Sequence, residues 1–69
     1  MQEEGFIMEY NGFIGKIKNL EGKEYLLLKK DIVDEKVVNI NDKVVFTPDL
    51  FKTEEYQENV ARFIRKLEK

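Results

Sequence analysis

The side chains best placed to do chemistry in this sequence are lysines and aromatics. Lys16, Lys18, Lys29 and Lys30 fall in one stretch of the first half, and Tyr10 and Phe13 flank an Asn11-Gly12 pair just ahead of them. Ammonium groups on a shared face track phosphates, or simply solubilise an exposed sheet. Rings at the tip of a turn stack on bases, or pair across strands to close one end of a barrel. The sequence leaves both pairs of alternatives open.

Other chemistry is missing. The chain has no cysteine and no histidine, so disulfides, thiolate or imidazole metal sites and Ser/His or Cys/His nucleophile pairs are ruled out. A carboxylate-only site is formally left, but a chain of 69 residues has little room to wall off water from an active site. The expectation is a binding domain that is not an enzyme and carries no cofactor.

Length and composition bound the rest. Residues 1–69 make a single small domain of 8.2 kDa, 42% apolar and 38% charged. That is too apolar for a disordered tail and too interrupted by charge for a membrane span, which needs roughly 18 apolar residues in a row. The longest apolar block is Tyr25-Leu26-Leu27-Leu28. Met1-Gln2-Glu3-Glu4 is acidic and no apolar run follows it, so no signal peptide is read and a cytoplasmic location is expected. A 60-residue domain buries only about 60% of its unfolded surface. With no covalent staple, the five Phe and three Tyr are expected to serve the core first.

Charge is unevenly spread. The net charge is −2, yet residues 16–30 and residues 62–69 each carry a net of +3. Acids gather at Glu3, Glu4 and Glu9, at Asp31, Asp34 and Glu35, and at Asp49, Glu54, Glu55 and Glu58. A fold could collect the two basic segments on one face, or spread them over a mixed soluble surface.

These residues must be positioned by strands. Gly5 to Tyr10 is rich in aromatic and β-branched residues, Asn11-Gly12 is a hairpin signal, and Phe13 to Lys18 returns as a second strand. Gly15 inside it suggests a bulge or bend. Asn19 to Lys23 is a second turn and Glu24 to Lys30 a third strand. Asp31 to Asn41 is a connection whose Val37, Val38 and Ile40 are expected to pack underneath. Asp42 to Thr47 is a fourth strand, its interior pairing ended by Pro48. In the last third, Thr53 resembles a helix N-cap, and Tyr56, Val60, Phe63, Ile64 and Leu67 follow at helical spacing. Periodicity alone favours a helix over Glu54 to Lys66. A strand over Glu58 to Leu67 is also allowed.

The order of these features resembles the cold-shock domain, a five-stranded OB-type barrel. Gly5-Phe6-Ile7-Met8-Glu9-Tyr10-Asn11 is similar to that family's opening strand. Gly12-Phe13-Ile14-Gly15-Lys16-Ile17 is similar to its first ribonucleoprotein motif. Tyr25 to Ile32 resembles its second ribonucleoprotein motif with the corner that follows. Val44-Val45-Phe46 and Ala61-Arg62-Phe63-Ile64 resemble its last two strands. The likeness covers residues 5–67 and implies an all-β, small five-stranded antiparallel barrel, with residues 58–67 as the closing strand. The alternative is a four-stranded sheet with a C-terminal amphipathic helix. Closure has a physical motive, since a small open sheet leaves two bare edges.

The resemblance also implies a ligand. Members of the family bind single-stranded RNA or DNA on a face of stacking aromatics ringed by lysines. If the second strand is matched at Ile17, the two stacking positions fall on Ile14 and Lys16, while Glu9, Leu26, Leu28 and Lys29 take other aromatic positions. A shift of one residue would return Phe13 to a stacking position. The implied nucleic-acid-binding set is therefore Tyr10, Phe13, Lys16, Lys18, Leu26, Leu28, Lys29 and Lys30, with Arg62 and Lys66 able to join from the closing strand.

The expected binding is weak, salt-dependent and of low specificity, by a monomer or weak dimer with no membrane association. Leu26 and Leu28 support a rival reading. With Tyr25 and Leu27 inside, they point outward beside Ile14, as on a barrel remade for a protein partner or self-association. The connection over residues 33–41 could instead cover them. Phe51 and Tyr56 are expected in a solvated acidic loop, Asp49 to Glu58, with Phe51 as its anchor.

Overall fold

The computed structural model describes residues 2–33 and 38–67. Alternation in the first half gives three strands: β1 (Glu3–Tyr10), β2 (Ile14–Asn19) and β3 (Glu24–Leu28). A short 3-10 turn, Lys29–Asp31, follows them. Then come β4 (Lys43–Lys52) and β5 (Gln57–Lys66). The strands close into a barrel in the order β1-β2-β3-β5-β4. Neighbours run antiparallel except β3 and β5, which run parallel and meet at the single pair Leu26–Val60. An isolated parallel bridge between Ile32 and Ile64 continues that contact.

The core fills the cylinder with Ile7, Ile17, Tyr25, Leu27, Val38, Val44, Phe46, Ala61 and Ile64. Tyr25 and Phe46 pack with ring centroids 5.0 Å apart at a 58° tilt, a favourable aromatic geometry. Val38 packs against this core, whereas Ile40 is exposed, so only one of that pair lies underneath as expected. Val37, Asp34, Glu35, Glu68 and Lys69 fall outside the described residues.

Residues 57–66 are a strand, not a helix, and the helical spacing has a physical source. Val45 of β4 faces Arg65 and Thr47 faces Arg62, so Phe46 alone opposes both Phe63 and Ile64. That is a β-bulge. Phe63 takes a left-handed backbone, φ 52°, and its side chain turns outward, 62% exposed. The extra residue puts the inward positions Ala61 and Ile64 three apart instead of two. A bulged strand thus imitates the apolar spacing of a helix.

Other boundaries depart from the sequence reading for equally local reasons. The first hairpin is longer than a two-residue Asn-Gly turn. Its ends are Asn11 and Ile14, with the Asn11 amide donating to the Ile14 carbonyl at 3.1 Å. The Asn11 side-chain oxygen accepts from the amides of Phe13 and Ile14 at 2.9 and 3.0 Å. Gly12 supplies the positive φ, 98°, so Gly12-Phe13 is the turn's centre.

The first-hairpin irregularity lies in β1, between Ile7 and Glu9, rather than at Gly15. Gly15 has a different duty. A Cβ there would collide with the Glu9 carbonyl and lie 2.8 Å from the Tyr10 Cα, so glycine lets the two strands close up at the bulge.

The third strand ends at Leu28, and Lys29 and Lys30 belong to the 3-10 turn. The fourth strand does not stop at Pro48. It runs to Lys52 because β1 pairs with β4 only as far as Phe46, leaving an open side where a missing N–H costs no ladder bond. Much of the expected acidic loop is therefore a paired ribbon, with Asp49, Leu50, Phe51 and Lys52 opposite Val60, Asn59, Glu58 and Gln57.

Candidate nucleic-acid interface

The β2–β3 ladder sets the outer face. Ile17 and Leu27 point into the core, so Ile14, Lys16 and Lys18 point outward on β2, and Leu26 and Leu28 point outward on β3. Ile14 lies opposite Leu28, Lys16 opposite Leu26, and Lys18 opposite Glu24. On the other flank, Lys16 is paired with Glu9 and Lys18 with Phe6. Ile17 between them is fully buried. The face is thus aliphatic and cationic, with Phe6 as an outward ring that the sequence reading passed over. Its signal was simple alternation against Ile7.

Phe13 and Lys29 meet at one end of this face. The Lys29 amide donates to the Phe13 carbonyl at 3.0 Å, which fixes the turn beside the 3-10 segment. The Lys29 ammonium lies 5.6 Å from the Phe13 ring centroid, within cation–π range, and the ring is 71% exposed. Tyr10 behaves differently, because it packs against the core as a partly buried ring. The two aromatics that flank the hairpin thus divide, one structural and one presented to solvent.

Acids temper the face. The Lys16 ammonium is 3.6 Å from Glu24 in an exposed pair, which holds it only weakly. Among the described residues, Lys18, Lys29 and Lys30 have no carboxylate within ion-pair distance. Arg62 is spoken for: it bonds Asp31 at 3.1 Å and Asp49 at 3.2 Å. Asp49 first and Asp31 second hold its guanidinium above the usual value. Lys66 sits 3.4 Å from Asp42. Within the second basic segment, Arg62 and Lys66 are thus matched by carboxylates.

Two hollows mark the same wall. One, of about 380 Å³, is lined by Glu9, Tyr10, Ile14, Lys16, Leu26 and Ile40 among others. The second, of about 250 Å³, has Leu26, Leu28 and Val60 as its floor and Phe51 and Tyr56 as an aromatic wall, with Lys30, Glu58 and Arg62 at its polar edges. Leu26 lines both, so the two hollows adjoin at β3. Both leucines line the hollow with Phe51 and Tyr56 of the β4–β5 hairpin, and Leu26 also lines the one with Ile40. Phe51 and Tyr56 are 48% and 53% exposed, with centroids 6.3 Å apart. The Tyr56 hydroxyl donates to Glu58 at 2.7 Å, a bond that raises the phenol above its ordinary value of 10.0. Phe51 sits on the paired ribbon, opposite Glu58, whereas Tyr56 lies in the turn that joins β4 to β5, just ahead of Gln57.

The closed order β1-β2-β3-β5-β4 is that of an OB-type barrel, and its outer β1–β2–β3 wall with flanking turns is that of the cold-shock fold. Among solved structures, the cold-shock domains of Drosophila Unr, CSD456, match it with a TM-score of 0.78 over 99% of this chain at 23% identity. The chain spans 27% of the length of that structure. No family model matches this sequence, and no curated protein matches it.

Proposed function

We propose that this barrel binds single-stranded RNA or DNA, weakly, with low specificity and without catalysis. The observation that carries the reading is the presented Phe13 ring with Lys29 above it, at the end of a wall that also holds Lys16 and Lys18. A base stacks on Phe13, and the phosphates on either side run past the lysines. Lys30 extends the cationic track, while Leu26, Leu28 and Ile14 give bases an apolar bed. Because aliphatic and charged residues occupy most stacking positions, binding is weaker than on an aromatic-rich wall. Titration with a uridine or thymidine hexamer at about 50 mM and about 200 mM salt tests the reading. Binding that weakens with salt is expected; no binding at the lower salt would overturn it.

The aliphatic groove supports a second reading, a protein-interaction module or self-associating barrel. Exposed Ile14 and Ile40 line one hollow with Leu26. This reading requires concentration-dependent oligomers, visible in sedimentation, that are dispersed by Leu26→Glu.

A further inference from the structure

We propose that the groove between β3 and the β4–β5 hairpin receives one guanine base of the bound strand, and that Glu58 selects it. The inference rests on the nucleic-acid reading above and adds a base preference to it. The groove is small, about 250 Å³, at or below the lower end of pockets for drug-sized ligands and suited to one flat ring system. Phe51 and Tyr56 give it an aromatic wall, and Leu28 and Val60 an apolar floor. Lys30 stands at its edge, where a flanking phosphate would pass.

A carboxylate in such a groove opposes a polyanion unless it is matched. Glu58 is held there by the Tyr56 hydroxyl, which uses one of its acceptor sites at 2.7 Å. An ionised carboxylate has about four such sites, so acceptors remain for a ligand. Among the common bases, guanine alone presents two adjacent N–H donors on one edge, N1–H and the N2 amino group, matching a carboxylate's two oxygens. Adenine and cytosine set their amino donor beside a ring nitrogen acceptor that would face the second oxygen. Uracil and thymine place one N–H between two carbonyls. Stacking on Tyr56 or Phe51 tolerates any base, so the carboxylate makes the choice.

The test compares hexamers, as RNA and as DNA, that are all-pyrimidine or carry one central guanine, hypoxanthine or adenine. Guanine is expected to tighten binding about tenfold over the pyrimidine parent. Hypoxanthine, which lacks the N2 amino group, should lose most of that gain, and adenine should show none. Glu58→Gln should abolish the guanine gain without weakening pyrimidine binding, since glutamine replaces one of the two acceptor oxygens by a donating NH2 group. Amide shifts of residues 56–62 should accompany the guanine hexamer and not the pyrimidine one.

A gain equal for adenine, or one that survives Glu58→Gln, would overturn the assignment. Guanosine monophosphate binding as tightly as the hexamer would overturn it too, because the site would then serve a free nucleotide. If the pyrimidine hexamer binds with salt dependence and guanine adds nothing, only this inference fails. If no hexamer binds, the broader reading fails with it.

Discussion

Lys29 holds its ammonium 5.6 Å from the centre of the Phe13 ring while its own amide donates to the Phe13 carbonyl. One residue thus fixes the backbone of the other and caps its face. A ring left 71% exposed is otherwise an expense for a small domain that needs its aromatics inside. The pairing keeps Phe13 in place at the end of the lysine-bearing wall.

Phe13→Ala should therefore separate binding from stability. The expected loss of affinity for a pyrimidine hexamer is about tenfold, from stacking worth roughly 1–3 kcal/mol per base. The urea midpoint should barely move, because the side chain is mostly in solvent. A large drop in midpoint with unchanged affinity would make Phe13 a structural residue.

Lys16→Gln with Lys18→Gln should change the salt dependence. Each phosphate contact on a single strand contributes about 0.7 to the slope of log affinity against log salt. Loss of both should flatten the slope by about 1.4 if both reach phosphates. Glu24 already engages Lys16, so Lys18→Gln alone is expected to remove the larger part. An unchanged slope would move the phosphate track elsewhere.

Gly15→Ala should destabilise the barrel by about 2 kcal/mol or more, the scale of overpacking a site that cannot relax. The obstacle is main chain, the Glu9 carbonyl and the Tyr10 Cα, rather than a movable side chain. Urea denaturation reads it directly. A midpoint within error of the parent would show that β1 gives way at its bulge.

Phe63→Asn should hold or raise stability. A non-glycine residue in the left-handed region costs about 1–2 kcal/mol, and asparagine tolerates it better than phenylalanine. With Phe63 62% exposed, little burial is lost. Phe63→Val at the same place should destabilise, because a β-branched side chain fits that backbone worst. The opposite order would show that the ring's contacts outweigh the strain.

Stability should fall in acid through Asp49. Its carboxyl is held below the ordinary 3.8, first by the Leu50 amide and then by Arg62. Between that lowered value and 3.8, the unfolded chain binds the extra proton. Stability therefore rises with pH across the window and is lost as pH drops through the folded-state value. Asp49→Asn should flatten the acid limb of a urea-midpoint profile. An identical limb would assign it to other carboxylates.

The wall was largely legible in the sequence because alternation is a two-residue rule. Once Ile17 and Leu27 face the core, Lys16, Lys18, Leu26 and Leu28 must face out. The last strand was not legible in the same way, because the bulge at Phe63 breaks alternation and spaces Ala61 from Ile64 as a helix would. Closure was argued instead from the order of features along the whole chain and from the two bare edges an open sheet would leave. The Phe51–Tyr56 wall was hidden for a different reason. Acidic neighbours and Pro48 read as a solvated loop, but one open side of β4 lets the ribbon continue past the proline. Arg62 could be placed on the right strand without revealing that two carboxylates from distant segments would claim it.

The parallel junction of β3 with β5 has one consequence of its own. The other four junctions are antiparallel and carry four or more register pairs each, while this one has Leu26 with Val60 and the lone bridge from Ile32 to Ile64. It is the thinnest seam of the cylinder, and the aromatic-walled hollow sits directly over it. Breathing of the barrel should begin along that line, so amide exchange there would outpace the rest. An occupant lodged across it would act as a clasp, slowing exchange at both strands at once.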